Sequence, residues 1–574
     1  MRQAVPLSFA PDGTRLLVGS NLESTQQLYA LPVRGGTLER LTNEEEPVSG
    51  FFLPDGRILV EIDAGGNERG QLYVLTDGGG LEPLVVDPRF VHRTPYAGGN
   101  VLAYSTNRRN DVEFDIVAHD LTTGDERGFE LGGNCSVAGV SPDGRWIVVD
   151  RAGERSGDND LHLCDVQTGD VTHLTPHDEA AEFYSPTWLG ETIVLTTNDE
   201  RDTFAIVRDG VFVCESSWDL DCCADDAGRS LLVLANEDGY SRLTLHDPQT
   251  FEARDEVKLP GRGVVEHPVF SPDGSLLAFS FSSSIEPHDV YLYDLDARDL
   301  ARLTTSPRAV DTATLVEPTL HRYTSFDGES VPVFLFEPEG DGPFPVVVTV
   351  HGGPESQWLP WFAPNFAPLT QYLVSHGYAV AAPNVRGSTG YGKRYEHLDD
   401  VEKRLDSVRD LASLHEWLSA RPEIDGSRSV VYGRSYGGYM VLAALAFQPE
   451  LWAAGIECVG ISSLVTFLEN TSPYRRGVRE REYGSLEHDR ELLIAASPMT
   501  HIDAIRAPLF IQHGRNDPRV PVSESEHIHA VLVEKGLPCE LLIFEDEGHT
   551  VAKLSNRIET FTRAVAFLDR VLAP

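Results

Sequence analysis

Four stretches of the chain are copies of one template: "LSFAPDGTRLLVGS" from Leu7, "GFFLPDGRILVEID" from Gly50, "GVSPDGRWIVVDRA" from Gly139 and "VFSPDGSLLAFSFS" from Val269. Weaker copies, "TPYAGGNVLAYST", "YSPTWLGETIVLTTN" and "DDAGRSLLVLANED", bring the total to seven. A second signal follows each copy, as in "QLYALPVRGGTLERLT" after the first and "DVYLYDLDARDLARLT" after the last. Both signals recur about every 43 to 45 residues, the length of a four-stranded propeller blade. Asp-Gly supplies the tight turn and the alternating apolar residues supply buried faces. One such sheet cannot bury both faces, whereas a closed ring of sheets can. A β-sandwich array would not require such even spacing. Residues 1–315 are therefore expected to form an all-β seven-bladed β-propeller.

The pattern changes over residues 316–574. A hairpin-like lead-in, "HRYTSFDGESVPVFLFEP", precedes apolar runs such as "PVVVTV", "YAVAAPN", "SVVYG", "AGIECV", "PLFIQHG" and "CELLIF". Amphipathic helical segments separate these runs, which reads as a doubly wound, mostly parallel sheet. In "VVYGRSYGGYM" the strand residues Val430, Val431 and Tyr432 run through Gly433-Arg434-Ser435-Tyr436-Gly437 into a helix. That is G-x-S-x-G, the sharp strand-to-helix turn that exposes a nucleophilic serine in α/β-hydrolases.

An acid and a histidine are expected after such a serine, in that order. "PLFIQHGRNDPRVP" places Asp517, and "CELLIFEDEGHT" places His549, each in a loop beyond a buried strand. Ser435 then attacks a carbonyl, His549 carries the proton and Asp517 orients the imidazole. The rate is expected to rise with a histidine pKa of about 6 to 7. Asp546 and Glu547 crowd His549 too closely in sequence to orient it, and His513 belongs to a structural turn. An oxyanion needs N–H donors: Tyr436 follows the nucleophile, and "VVVTVHGGP" offers Gly352 and Gly353 after an early strand. His527 and His529 lie two apart on a helical segment, the wrong spacing for a metal pair, so neither a metal nor another cofactor is expected.

Together, "HGGP", "NVRGSTGYG", "GRSYGGYM", "HGRNDPRVP" and "EDEGH" behind a propeller resemble the prolyl oligopeptidase family of serine peptidases, nearest its acylaminoacyl-peptidase branch. The resemblance implies a triad of Ser435, Asp517 and His549 and oxyanion donors at Tyr436 and Gly353. It also implies that Arg519 binds substrate carbonyl or carboxylate groups. The apolar "LVTFLENTSPYRRG" adds Phe467 and Tyr474 as candidate substrate-binding residues. Many relatives carry a helical extension ahead of the propeller, whereas here Leu7 already opens the first blade, so anchoring through such a segment is not expected.

The expected activity is peptidase cleavage of short peptides, releasing N-acylated N-terminal residues. Dipeptidyl or oligopeptidase specificity and carboxylester hydrolysis are the alternatives within enzymes; a binding propeller with an inactive hydrolase domain is the alternative outside them. Dipeptidyl cleavage requires carboxylates that clamp an ammonium, and Glu44, Glu45 and Glu46 form the dense acidic run among the blade loops, where a solvated turn is the simpler reading.

Charge bounds the partners. The chain of 574 residues carries 89 Asp and Glu against 47 Lys and Arg, a formal net charge of -42. Such a surface repels nucleic acid and anionic lipid. Seven cysteines without regular spacing do not make a disulfide framework, and neither a signal segment nor a long apolar run is present, so a reducing, cytoplasmic setting is expected. Whether copies associate into a homo-oligomer is not legible. Acid excess with few lysines fits a salt-loving cytoplasm. A melting temperature that rises as the Debye length shrinks from about 10 Å at 0.1 M salt to about 3 Å at 1 M is expected. A flat or falling melting temperature over that range removes the halophilic reading.

Overall fold

The computed structural model describes residues 2–572. Met1, Ala573 and Pro574, at the ends of the expected ranges, lie outside the described residues. The chain divides into two compact units, with the main break between Arg308 and Ala309.

The first unit contains seven four-stranded antiparallel sheets, each built from consecutive strands. The first blade runs Ala4–Phe9, Arg15–Ser20, Gln27–Pro32 and Glu39–Arg40; the last runs Val264–Phe270, Leu276–Ser283, Glu286–Asp294 and Asp299–Arg302. Among the described residues no strand is shared between first and last blades, so side-chain packing closes the ring. Ala4, Phe9, Leu16 and Val18 of the first blade bury against Ala278, Val290 and Leu292 of the last. The repeated Pro-Asp-Gly turn has a local cause. Asp273 accepts hydrogen bonds from Ser271 Oγ (2.7 Å) and Ser275 N (3.0 Å), while Gly274 takes φ 66°, a region closed to most side chains.

One feature of the blades departs from the repeat reading. In the last blade the sequence suggests a first strand at "VFS", yet it begins at Val264. A bulge between Glu266 and Val269, with His267 at φ 53°, breaks the alternation that marks a strand. The first strands of four other blades carry similar register shifts.

The second unit is built on one eight-stranded sheet. Its strands are β1 (Thr319–Thr324), β2 (Ser330–Phe336), β3 (Phe344–Val350), β4 (Ala379–Pro383), β5 (Ile424–Arg434), β6 (Ala454–Cys458), β7 (Leu509–Gly514) and β8 (Cys539–Phe544). They lie in the order β1-β2-β4-β3-β5-β6-β7-β8, antiparallel at the lead-in hairpin and at β2-β4 and parallel from there on. Apolar clusters cover both faces, one including Leu411, Val441 and Ile528, the other Leu373, Phe510 and Phe567. That double burial explains why these strands read as continuous apolar runs. Because β3 and β5 to β8 are parallel, the loops after them open on a single edge of the sheet.

Candidate active site

Ser435 sits between β5 and the helix Tyr436–Phe447, at φ 60° and ψ −120°. A residue other than glycine adopts that conformation at an energetic cost, and the surroundings enforce it. A Cβ at Gly433 would stand 2.2 Å from the Gly437 carbonyl oxygen; one at Gly437, 2.2 Å from that of Val350; one at Gly438, 2.6 Å from Gly460 Cα. The turn can close only because these three positions lack side chains. Ser435 N donates to the Cys458 carbonyl at 2.9 Å, which fixes the turn to the neighbouring strand.

The structure brings Asp517 and His549 together. His549 Nδ1 lies 2.7 Å from Asp517 Oδ2, while Asp517 Oδ1 accepts the backbone N–H groups of Arg519 (2.8 Å) and Val520 (3.0 Å). His513, read from sequence as structural, bonds Ser525 Oγ (2.7 Å) and the Val520 carbonyl (3.0 Å) and places Nε2 3.5 Å from Asp517 Oδ2. Burial alone would raise the Asp517 pKa, but His549 and His513 outweigh it and hold the carboxyl well below the usual range. Glu547, set aside in the sequence as too close to His549, is buried and accepts from Ala552 N, Lys553 N and Asn556 Nδ2 (each 2.9 Å), which shapes the loop that carries the histidine. Among the described residues no hydrogen bond joins Ser435 Oγ to His549; in unliganded enzymes such contacts commonly tighten only with substrate.

His549 departs from the pKa expected in sequence. Burial, with the positive charges of Arg434 and Arg519, outweighs Asp517 and lowers it from 6.5 to about 4. A general base must be neutral, so activity is lost as pH falls through this depressed value. The acid limb of kcat/KM is expected below 6.5 and toward 4; a midpoint at or above 6.5 contradicts the site's electrostatics.

The glycine loop after β3 lies against Ser435. A methyl group at Gly352 would stand 3.4 Å from Ser435 Cβ and 4.0 Å from its Oγ. Neither Gly353 N nor Tyr436 N donates a hydrogen bond among the described residues, so both donors remain available for an oxyanion. His351 ties this loop to Ser388 Oγ at 2.8 Å, which gives "NVRGSTGYG" a scaffolding role. In the same segment Arg386 pairs with Asp410 (2.8 Å) and Asp327 (2.9 Å).

Sequence reasoning missed the support beneath Tyr436. Its buried hydroxyl donates to Asp399 Oδ2 at 2.8 Å and meets Ser407 Oγ at 2.8 Å. The fully buried Arg404 bonds Asp399 and Glu482 and lies over the rings of Tyr436 (5.2 Å) and Tyr483 (4.8 Å). Phe467 is a buried core residue edge-on to Tyr483, with centroids 5.7 Å apart, and Tyr483 in turn packs on Tyr436 at the start of the helix after Ser435. Tyr474 is half-buried, with Arg475 5.6 Å over its ring. Arg519 exposes its side chain, while its carbonyl accepts from Thr471 Oγ1 at 2.8 Å. Glu44, Glu45 and Glu46 lie in the connection between the first two blades, where Gln27 Nε2 donates to the carbonyls of Glu44 (3.0 Å) and Glu46 (3.2 Å). No helix among the described residues is long and apolar enough to cross a membrane.

Comparison with known proteins adds two family matches. Residues 364–574 match the model of the prolyl oligopeptidase family, and residues 134–305 match the model of the prolyl oligopeptidase N-terminal beta-propeller domain. The chain is 30% identical over 364 residues to dipeptidyl peptidase family member 6 of Caenorhabditis elegans, a match covering 57% of this chain and 49% of that protein. It is 26% identical to dipeptidyl aminopeptidase BIII of Pseudoxanthomonas mexicana, covering 96% of this chain and 84% of that one. A solved structure from a study of two prolyl endopeptidases superposes with a TM-score of 0.87 at 19% identity, covering 100% of this chain and 90% of the other. At that identity the superposition speaks for the fold.

Proposed function

The chain belongs to the prolyl oligopeptidase family, and from that premise we propose that it is a serine peptidase that releases dipeptides from the free N-termini of short peptides. The observation that carries the chemistry is the setting of Ser435: the N–H groups of Tyr436 and Gly353 are unused among the described residues, and Arg434, the residue before it, bonds the main-chain carbonyl of His549, whose Nδ1 meets Asp517. Ser435 Oγ attacks the scissile carbonyl and His549 Nε2 takes its proton. The N–H groups of Tyr436 and Gly353 bind the oxyanion. The tetrahedral intermediate collapses as His549 returns the proton to the leaving amine, and water then hydrolyses the acyl-enzyme by the same route. Asp517 keeps the imidazole proton on Nδ1 throughout, so that Nε2 stays a base.

Dipeptide release takes precedence over the release of N-acylated residues because both relatives described above carry dipeptidyl names. Matched substrates separate the two readings. The kcat/KM for Ala-Ala-p-nitroanilide is expected to exceed that for acetyl-Ala-p-nitroanilide by tenfold or more, whereas the reverse order favours acyl-residue release. Arg519 is assigned to substrate binding, since its guanidinium offers a planar fork for a carbonyl or carboxylate. Loss of one charge-assisted bond in Arg519→Ala is expected to lower kcat/KM about 10- to 150-fold, mainly through KM. Unchanged kinetics would return Arg519 to the solvated surface.

A further inference from the structure

Arg434 stands one peptide bond from the nucleophile, as the last residue of β5. Its Nη2 donates to the main-chain carbonyl of His549 and, at 2.9 Å, to Thr550 Oγ1. Among the described residues no carboxylate lies within ion-pair distance of it, although the chain has 89 acidic side chains. Cys458, Tyr432, Asp517 and Arg519 act electrostatically on Arg434, Asp517 and Arg519 act on the imidazole as well, and Arg557 lines the same cavity as Arg434. Burial pushes the Cys458 thiol up to about 12 and the Tyr432 phenol well above its ordinary value, so both stay neutral. Asp517 is already committed to His549 and two backbone N–H groups.

The sheet itself does not hold Ser435 and His549 together. Their loops follow β5 and β8, which are three strand spacings apart, about 14 Å. Arg434 cross-links the two loops directly.

We propose that Arg434 is a positioning residue for the catalytic base, tying the His549 loop to the nucleophile elbow and setting a fixed positive charge beside the imidazole. An arginine stays protonated across the working pH range, so the charge is constant. It disfavours imidazolium, which keeps His549 neutral and able to accept the Ser435 proton in acid. The carbonyl bond meanwhile restrains the main chain from which the ring projects.

The inference rests on the peptidase reading above. Its test uses the full chain and the pH dependence of kcat and kcat/KM on a dipeptidyl p-nitroanilide. In Arg434→Gln, kcat is expected to fall about 10- to 100-fold with KM nearly unchanged, and the acid limb to move up while staying below the 6.5 of an unperturbed imidazole, because burial still acts on the ring. Arg434→Lys retains the charge but not the forked geometry, so its acid limb should stay low while kcat takes an intermediate value. Thr550→Val removes one acceptor and should lower kcat a few-fold with the limb unmoved. If Arg434→Gln does not fold, the lysine variant decides: an acid limb raised above that of the wild type with the charge retained overturns the proposal. A folded Arg434→Gln with wild-type kcat and acid limb overturns it as well. Should the wild-type protein itself neither hydrolyse peptides nor react at Ser435, the peptidase reading fails; an active wild type with an indifferent Arg434 defeats this inference alone.

Discussion

Replacing Ser435 or His549 by alanine is expected to lower kcat by about 10⁴-fold or more, and the double replacement to cost little beyond the worse single one. The reason is that in the proposed mechanism the two side chains perform one proton-coupled step. Without Ser435 Oγ there is no nucleophile for His549 to activate, and without His549 the hydroxyl keeps its proton at neutral pH. What would remain is the oxyanion stabilisation proposed for Tyr436 N–H and Gly353 N–H, which neither replacement touches. Rates for the two single variants and the double variant, compared on a free-energy scale, form the check. Losses that add would mean that the two residues act independently, contrary to the proposed mechanism.

Asp517→Asn is expected to cost about 10⁴-fold in kcat at neutral pH while leaving the melting temperature close to that of the wild type. The hydrogen bonds dictate which way the new amide must face. Oδ1 accepts from Arg519 N and Val520 N, and an NH₂ group cannot accept, so the amide oxygen has to occupy that position. The NH₂ then faces His549 Nδ1, at the place where Oδ2 lies 2.7 Å away. A donor there requires Nδ1 to accept and moves the imidazole proton to Nε2, the atom that has to act as the base. Loop geometry survives and the tautomer is wrong. A loss below tenfold would show that something other than Asp517 sets the tautomer.

The parts of this protein that were legible in its sequence are those specified locally. The seven copies of the blade template announce themselves because each turn is encoded by adjacent residues, as where Asp273 and Gly274 form their own bonds and dihedral angle. The elbow is legible for the same reason, since Gly433, Gly437 and Gly438 must be bare for Ser435 to sit where it does. Strand starts such as Val264 were not, because a bulge cancels the alternation that marks a strand. The support of the site was also hidden. Arg404 meets Glu482 across 78 residues and Arg434 meets His549 across 115, and no short motif encodes either encounter. The depressed His549 pKa follows chiefly from burial, with smaller contributions from the charges of Arg434 and Arg519, so local sequence could suggest only an ordinary imidazole value.

The central claim is that Ser435 is a nucleophile activated in place. Treatment of the folded protein with a fluorophosphonate, followed by intact mass measurement and peptide mapping, tests it most directly. The account predicts one phosphonyl adduct per chain, on the peptide containing Ser435, formed much more slowly in Asp517→Asn and absent in Ser435→Ala. An adduct on a different residue, or peptide hydrolysis that continues while Ser435 remains unmodified, would contradict it.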